Sequence, residues 1–223
     1  MKRREVLALI AASAVAESPA SLAQQAPAQY PNQIALPKPV LAGKVSLEEA
    51  LARRRSVRAF GAAALPLDTL GQLLWAGQGI TSTDGKRTAP SAGALYALDL
   101  YVVTASEVIH YLPSGHRAES RTTADLRPQL KSLAVQQTSI TSAPAVLVVA
   151  ADPGRLVARY GARANVYADI EAGHAAQNLL LQATALGLGT VPVGAVNGAG
   201  AAQALALPPG QTVIYLIPTG FMP

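Results

Sequence analysis

Residues 167–186 form the longest helical segment of the chain, and apolar positions nearly encircle it. A helix without a polar side lies inside a core or a subunit interface. Residues 145–151 read Ala-Val-Leu-Val-Val-Ala-Ala, a continuous apolar run. Such a run marks a strand covered on both faces. Together the two segments demand layers of helix and sheet. The composition supplies the material, since half of the 223 residues are apolar and only 14% are charged, which excludes a disordered chain.

The remaining segments alternate. Ser46 and Glu49 form a Ser-x-x-Glu capping box for a helix over 47–55. A second helix covers 67–76 and stops at Gly77 and Gly79, followed by a loop over 79–94. Strands are expected at 99–104 and 108–112, and a helix at 127–136 with Pro128 in its first turn. A short helix at 155–160 precedes the long one, and strands follow at 190–193 and 213–217. Several connections are too short for regular parallel crossovers. The class is therefore α+β, with a mixed central β-sheet flanked by helices.

Residues 1–23 read as an export signal. The start Met-Lys-Arg-Arg-Glu is basic, 6–16 is a short uncharged apolar run, and small residues follow. The run is too short to span a bilayer, which takes about 20 residues. An amphipathic first helix is the other reading, but 6–16 has no polar face. Arg3-Arg4-Glu5-Val6-Leu7 resembles a twin-arginine signal, while a plain secretory signal fits the same residues. Either places the mature protein in the periplasm or otherwise outside the cytoplasm, with no stable membrane span. Residues 24–45, carrying Pro27, Pro31, Pro37 and Pro39, form a linker or a surface arm. The folded domain is 46–223.

Composition removes several chemistries. The chain has no cysteine, so thiol nucleophiles, iron–sulfur clusters and disulfides are excluded. Loss of 1–23 takes three basic and two acidic residues and moves the formal charge from +5 to +4. No lysine run and no aromatic interleaving accompany that charge, which argues against nucleic acid. No second histidine sits at metal-ligand spacing from His174; His110 and His116 fall in a separate hairpin read as exposed. Ser91 is not in a Gly-x-Ser-x-Gly elbow, which argues against a serine hydrolase.

Three segments can carry chemistry. Arg53-Arg54-Arg55-Ser56-Val57-Arg58 crowds four guanidinium groups and a hydroxyl at a helix end. Such groups complement the helix dipole, but four exceed that need, and a dianion would relieve their repulsion. Pro90-Ser91-Ala92-Gly93-Ala94-Leu95-Tyr96 lets backbone amides approach a ligand closely, although an ordinary turn has the same composition. Leu186 to Ala195 ends a strand in Pro192, Val193, Gly194 and Ala195, leaving N–H groups accessible to a planar ligand. It matches neither the dinucleotide glycine fingerprint nor a P-loop.

In this order, and with 171–178 and 215–220, the segments resemble the nitroreductase-like flavoprotein family, specifically its SagB/thiazoline-oxidase-type branch. The resemblance spans about 46–220. It implies a nitroreductase-like fold and a homodimer with FMN at the interface. Arg54, Arg55, Ser56 and Arg58 would hold the phosphate and ribityl chain. Pro90, Ser91, Ala92 and Gly93 would line the flavin from the second subunit, and Pro192, Val193, Gly194 and Ala195 would lie along the ring. No side chain is assigned as catalytic, because the flavin N5 performs the chemistry. The implied function is an FMN-dependent oxidoreductase moving hydride between a donor, NAD(P)H among the candidates, and a small organic acceptor by ping-pong chemistry. The alternative is a non-catalytic flavin- or ligand-binding protein. One departure favours the latter: no Lys or Arg follows Arg163, where many family members place phosphate-binding cations. His174, Gln177 and Asn178 share one helix face, read chiefly as satisfied packing groups, and Trp75 is assigned to the core.

Overall fold

The structure is a computed structural model and describes residues 33–223; the expected export signal, 1–23, lies outside the described residues. In chain order the elements are β1 (Gln33–Ala35), α1 (Leu47–Arg53), α2 (Leu67–Gln78), β2 (Leu98–Thr104), β3 (Val108–Leu112) and β4 (Arg117–Thr122). They continue with α3 (Arg127–Leu133), α4 (Ser139–Ser142), β5 (Ala145–Ala151), α5 (Gly154–Tyr160), α6 (Ala164–Ala185), β6 (Leu188–Thr190), α7 (Gly198–Ala204) and β7 (Thr212–Phe221). Seven strands form one sheet in the order β1-β4-β3-β2-β5-β7-β6.

The α+β architecture stands, with one refinement. Every named strand pair is antiparallel, and the sole parallel contact among the described residues is a bridge between Ser56 and Thr190. β5 is an interior strand between β2 and β7, and all of its side chains are buried. Leu147 and Val149 point to the α2–α6 side with Leu73, Leu74 and Leu179. Val146 and Val148 point the other way, against Leu130, Ile140 and Leu205. The continuous apolar run of β5 is the consequence of this double cover.

α6 packs on the first of these layers through Ala168, Ala172, Ala175, Leu179 and Ala183, all buried. It is not enclosed on every side. Val166 and Ile170 remain 46% and 47% exposed, and His174 and Gln177 follow on the same open face. α2 runs through Gly77 rather than stopping there. A Cβ on Gly77 would meet the Leu100 and Leu179 side chains at 2.7 and 3.1 Å, so this glycine permits close packing rather than termination.

Four elements have no counterpart in the sequence reading: β1, β4, α4 and α7. β1 lies within the proline-rich arm and pairs with β4, where Arg117 donates to the Gln33 side chain at 2.7 Å. The arm is also tied to α2, because the Val40 N–H donates to Gln72 Oε1 at 2.8 Å. Among the described residues no helix is long and apolar enough to cross a membrane.

Candidate functional site

α1 begins with the expected cap, the Ser46 hydroxyl accepting the Glu49 N–H at 3.1 Å. The Glu49 carboxylate does not close the box; it pairs with Arg53 at 2.6 Å. The helix ends at Arg53, two residues earlier than expected, with Arg54 as its extended cap. Residues 54–58 therefore leave the helix and run alongside β6. Ser56 bridges Thr190, and the Val57 N–H donates to the Thr190 carbonyl at 2.8 Å. Only Arg53 lies in the last turn of the helix, so the dipole accounts for one arginine of the four. Arg55 donates to the Ala52 and Arg54 carbonyls at 3.0 and 2.7 Å. Arg54 and Arg58 have no ion-pair or hydrogen-bond partner for their guanidinium groups among the described residues.

β6 lies earlier than the expected 190–193 strand and shares only Thr190 with it, but the chain beyond stays attached to β7. Val191 donates to Pro218, and Val193 exchanges both backbone bonds with Leu216 at 2.8 and 3.0 Å. Val193 is buried, Pro192 half-buried, and Gly194 and Ala195 exposed. Neither the Gly194 nor the Ala195 N–H donates to any described residue. Thr190 thus joins two of the three expected segments along one strip of backbone, carrying free cations at one end and free amide donors at the other.

The third segment lies elsewhere. Pro90 and Gly93 are exposed, Ser91 and Ala92 half-buried, and their polar contacts run to α6. The Ser91 hydroxyl and the Ala92 N–H both donate to Glu171 Oε1, at 2.9 and 2.8 Å. Ser91 Oγ in turn accepts the Tyr96 N–H at 2.8 Å. A Cβ on Gly93 would stand 2.8 Å from the Arg159 guanidinium and 2.9 Å from the Tyr160 hydroxyl. The chain's own contacts do not bring this loop to 54–58 or 192–195. Sequence reasoning gave Glu171 no role; its one signal was a carboxylate among alanines on a core helix.

Arg87 packs 4.3 Å over the Tyr96 ring and donates to Gln78 at 2.9 Å. Burial pulls its guanidinium below the usual range, against the opposing pull of the Asp99 carboxylate. Nearby, His110 is not exposed as expected. It lies between Glu119 at 3.2 Å and Asp99 at 3.4 Å, and stacks on Tyr101 with ring centroids 4.6 Å apart. Asp99 also accepts from Arg155 at 2.5 Å and Gln211 at 2.7 Å. Burial pushes the Asp99 carboxyl up, but the His110 bond and the Arg155 charge more than offset this and hold it below the carboxylate range. The network has its partners within the chain and reads as structural.

His174 and Gln177 face solvent, while Asn178 donates to the Thr88 carbonyl at 3.3 Å. Trp75 is half-buried rather than core, bordering a groove of about 780 Å3 with Leu47, Gln72, Leu181 and Leu186. None of the expected binding residues lines that groove. No cluster of three metal-ligating side chains occurs among the described residues.

Comparison with known proteins gives the family and the fold. The sequence model of the Nitroreductase family matches residues 51–221, from within α1 to the end of β7. A Methanocaldococcus jannaschii protein carrying the name nitroreductase is 40% identical over 158 residues, covering 68% of this chain and 80% of that one. A crystal structure described as a nitroreductase from Ralstonia eutropha JMP134 superposes with a TM-score of 0.79 at 31% identity, covering 86% of this chain and 90% of that one. The NADPH:FMN oxidoreductase of Vibrio harveyi shares the fold, with a TM-score of 0.59 at 23% identity over 78% of this chain and 68% of that one. With its fold and these relatives agreeing, the chain belongs to the nitroreductase family and is an oxidoreductase.

Proposed function

We propose that the chain is an FMN-dependent oxidoreductase of the SagB/thiazoline-oxidase type, working as an exported homodimer. It transfers hydride or electrons from a donor, NAD(P)H among the candidates, to a small organic acceptor in two successive half-reactions. The observation that carries the reading is the Ser56–Thr190 bridge. It sets Arg54 and Arg58, both unpaired among the described residues, on the same strip as the free N–H groups of Gly194 and Ala195.

This donor set fits the cofactor. Two guanidinium forks and a Ser56 hydroxyl suit a phosphate dianion, whose binding relieves their crowding. Arg55, whose guanidinium is turned onto carbonyls at its own helix end, shapes the pocket through its backbone. FMN bound here supplies a centre that accepts and returns hydride. The Gly194 and Ala195 amides are fixed dipoles at a strand end, able to stabilise negative charge developing on a ring without reorganising. Pro192 has no N–H and Val193 is anchored to Leu216, which holds that edge rigid. The loop of Pro90, Ser91, Ala92 and Gly93 closes the site from the second copy. The open face of α6, with Val166 and Ile170, and the exposed Leu47 and Leu51 of α1 supply apolar surface for that contact.

The test is an absorbance spectrum of purified protein together with FMN titration of wild type and an Arg54→Ala, Arg58→Ala double variant. Hydrogen bonds to charged groups contribute about 1.5–3 kcal/mol each, so the double variant should bind FMN more than about 100-fold more weakly. Unchanged affinity would remove the phosphate assignment. Anaerobic reduction by NADH, NADPH or a quinol then identifies the donor; failure of all three with flavin bound leaves oxidation of an organic substrate.

A further inference from the structure

We infer that Glu171 is the residue that positions the 90–96 loop for the flavin, an inference that rests on the reading of the site given above. The loop is backbone-strained. Gly93, Ala94 and Tyr96 adopt φ values of +62°, +55° and +51°, and two of these residues carry a Cβ. Such conformations persist only where surrounding structure enforces them, and they gather at ligand clamps. Two contacts enforce this one. On one side the Arg159 guanidinium and the Tyr160 hydroxyl pack against Gly93, where an added Cβ would meet them at 2.8 and 2.9 Å.

On the other side stands Glu171, only 3% exposed, on a helix whose neighbouring positions Ala168, Ala172 and Ala175 are apolar and buried. A buried carboxylate is retained at considerable cost unless its bonds matter. Here a single oxygen, Oε1, takes both bonds, from the Ser91 hydroxyl and the Ala92 N–H. The Ser91 oxygen then accepts the Tyr96 N–H, which extends the clamp across the strained turn. Oε2 is buried without a partner. The pattern assigns Glu171 an accepting oxygen at one position, and a glutamine can present the same oxygen there. Because Glu171 sits on the helix whose opposite flank is exposed, the clamp also fixes the loop relative to the surface proposed to meet the second copy.

The test compares Glu171→Ala and Glu171→Gln in the full chain by two readouts: FMN affinity, and hydrogen exchange at the Ala92 amide in flavin-free protein. Glu171→Ala should weaken FMN binding about tenfold or more and speed Ala92 exchange by a similar factor. Glu171→Gln should restore both to within about threefold of wild type. If Glu171→Ala does not fold, Ser91→Ala serves in its place; it removes the hydroxyl but keeps the Ala92 bond, and should show a smaller loss in both readouts. Wild-type behaviour in Glu171→Ala, or a glutamine variant as impaired as the alanine one, overturns the inference. Wild-type protein that binds no FMN sinks the flavin reading itself. The exchange measurement needs no flavin and separates that result from a failure of the Glu171 contact.

Discussion

The approach of residues 54–58 to β6 depends on one missing side chain, and Gly189→Ala tests it. A Cβ at position 189 would stand 2.6 Å from Val57 Cγ1 and 2.8 Å from Val57 Cβ. Carbon atoms in contact rest about 3.5–4.0 Å apart, so the overlap is roughly 1 Å. Rotation of Val57 moves Cγ1 but leaves Cβ in place, so relief requires the backbone to shift. That backbone is held by the 2.8 Å bond from the Val57 N–H to Thr190. The flexible Met222 chain, 3.3 Å away, can yield. Overpacking of this kind costs about 1–3 kcal/mol. For a domain of this size each kcal/mol lowers Tm by about 2–4 °C, giving a fall of about 2–12 °C.

A functional effect should accompany the thermal one, since the same shift parts Arg54 and Arg58 from the Gly194–Ala195 amides. FMN affinity should fall about tenfold or more, because charge-assisted bonds depend steeply on distance. Adding Val57→Ala removes Cγ1 but not Cβ, so the double variant should recover part of both losses. Calorimetry and FMN fluorescence titration on the four proteins read the cycle. Wild-type Tm and affinity in Gly189→Ala, or strict additivity with Val57→Ala, would refute the account of how the strip is held.

Acid should unfold the protein through Asp99 and Glu119. Burial pushes both carboxyls up, but their bonds to His110, with Arg155 at Asp99 and Arg121 at Glu119, hold both below the ordinary range. The stability they contribute is therefore complete above their unfolded values of about 4 and is lost as pH falls through the lower folded ones. Tm should fall steeply below about pH 4, and Asp99→Asn should flatten that fall; superimposable profiles would contradict it. Tyr101 donates to Gln211 at 2.8 Å, and burial, reinforced by the Asp99 charge, pushes its hydroxyl up to about 12. Ultraviolet titration of Tyr101→Phe should therefore match wild type up to about pH 11; a missing tyrosinate below that would count against this burial. Asn197 caps α7 by accepting the Gly200 N–H at 3.0 Å, so Asn197→Ala should lower stability by about 1 kcal/mol in urea titration.

What a sequence discloses about such a fold depends on whether an element's environment is written in its own residues. β5 is covered on both faces, so its apolar run matched the strand residue for residue. β4, Arg-Ala-Glu-Ser-Arg-Thr, buries only Ala118 fully and so displays no alternation to find. α7 hid behind Gly198 and Gly200. A Cβ on the first would stand 2.4 Å from the Val213 carbonyl oxygen, so that glycine answers to β7, a strand further along the chain. The site divides in the same way. Four arginines in six residues announce an anion, because crowded charge is a local fact. That they lie extended beside Thr190, not at a helix end, is decided by a pairing distant in sequence. Glu171 is the extreme case. A carboxylate on a core helix is intelligible only once Ser91 and the Ala92 amide, 80 and 79 positions away, are seen to meet it. A polar residue in an apolar pattern therefore says that a partner exists, and the fold must be known before the partner can be named.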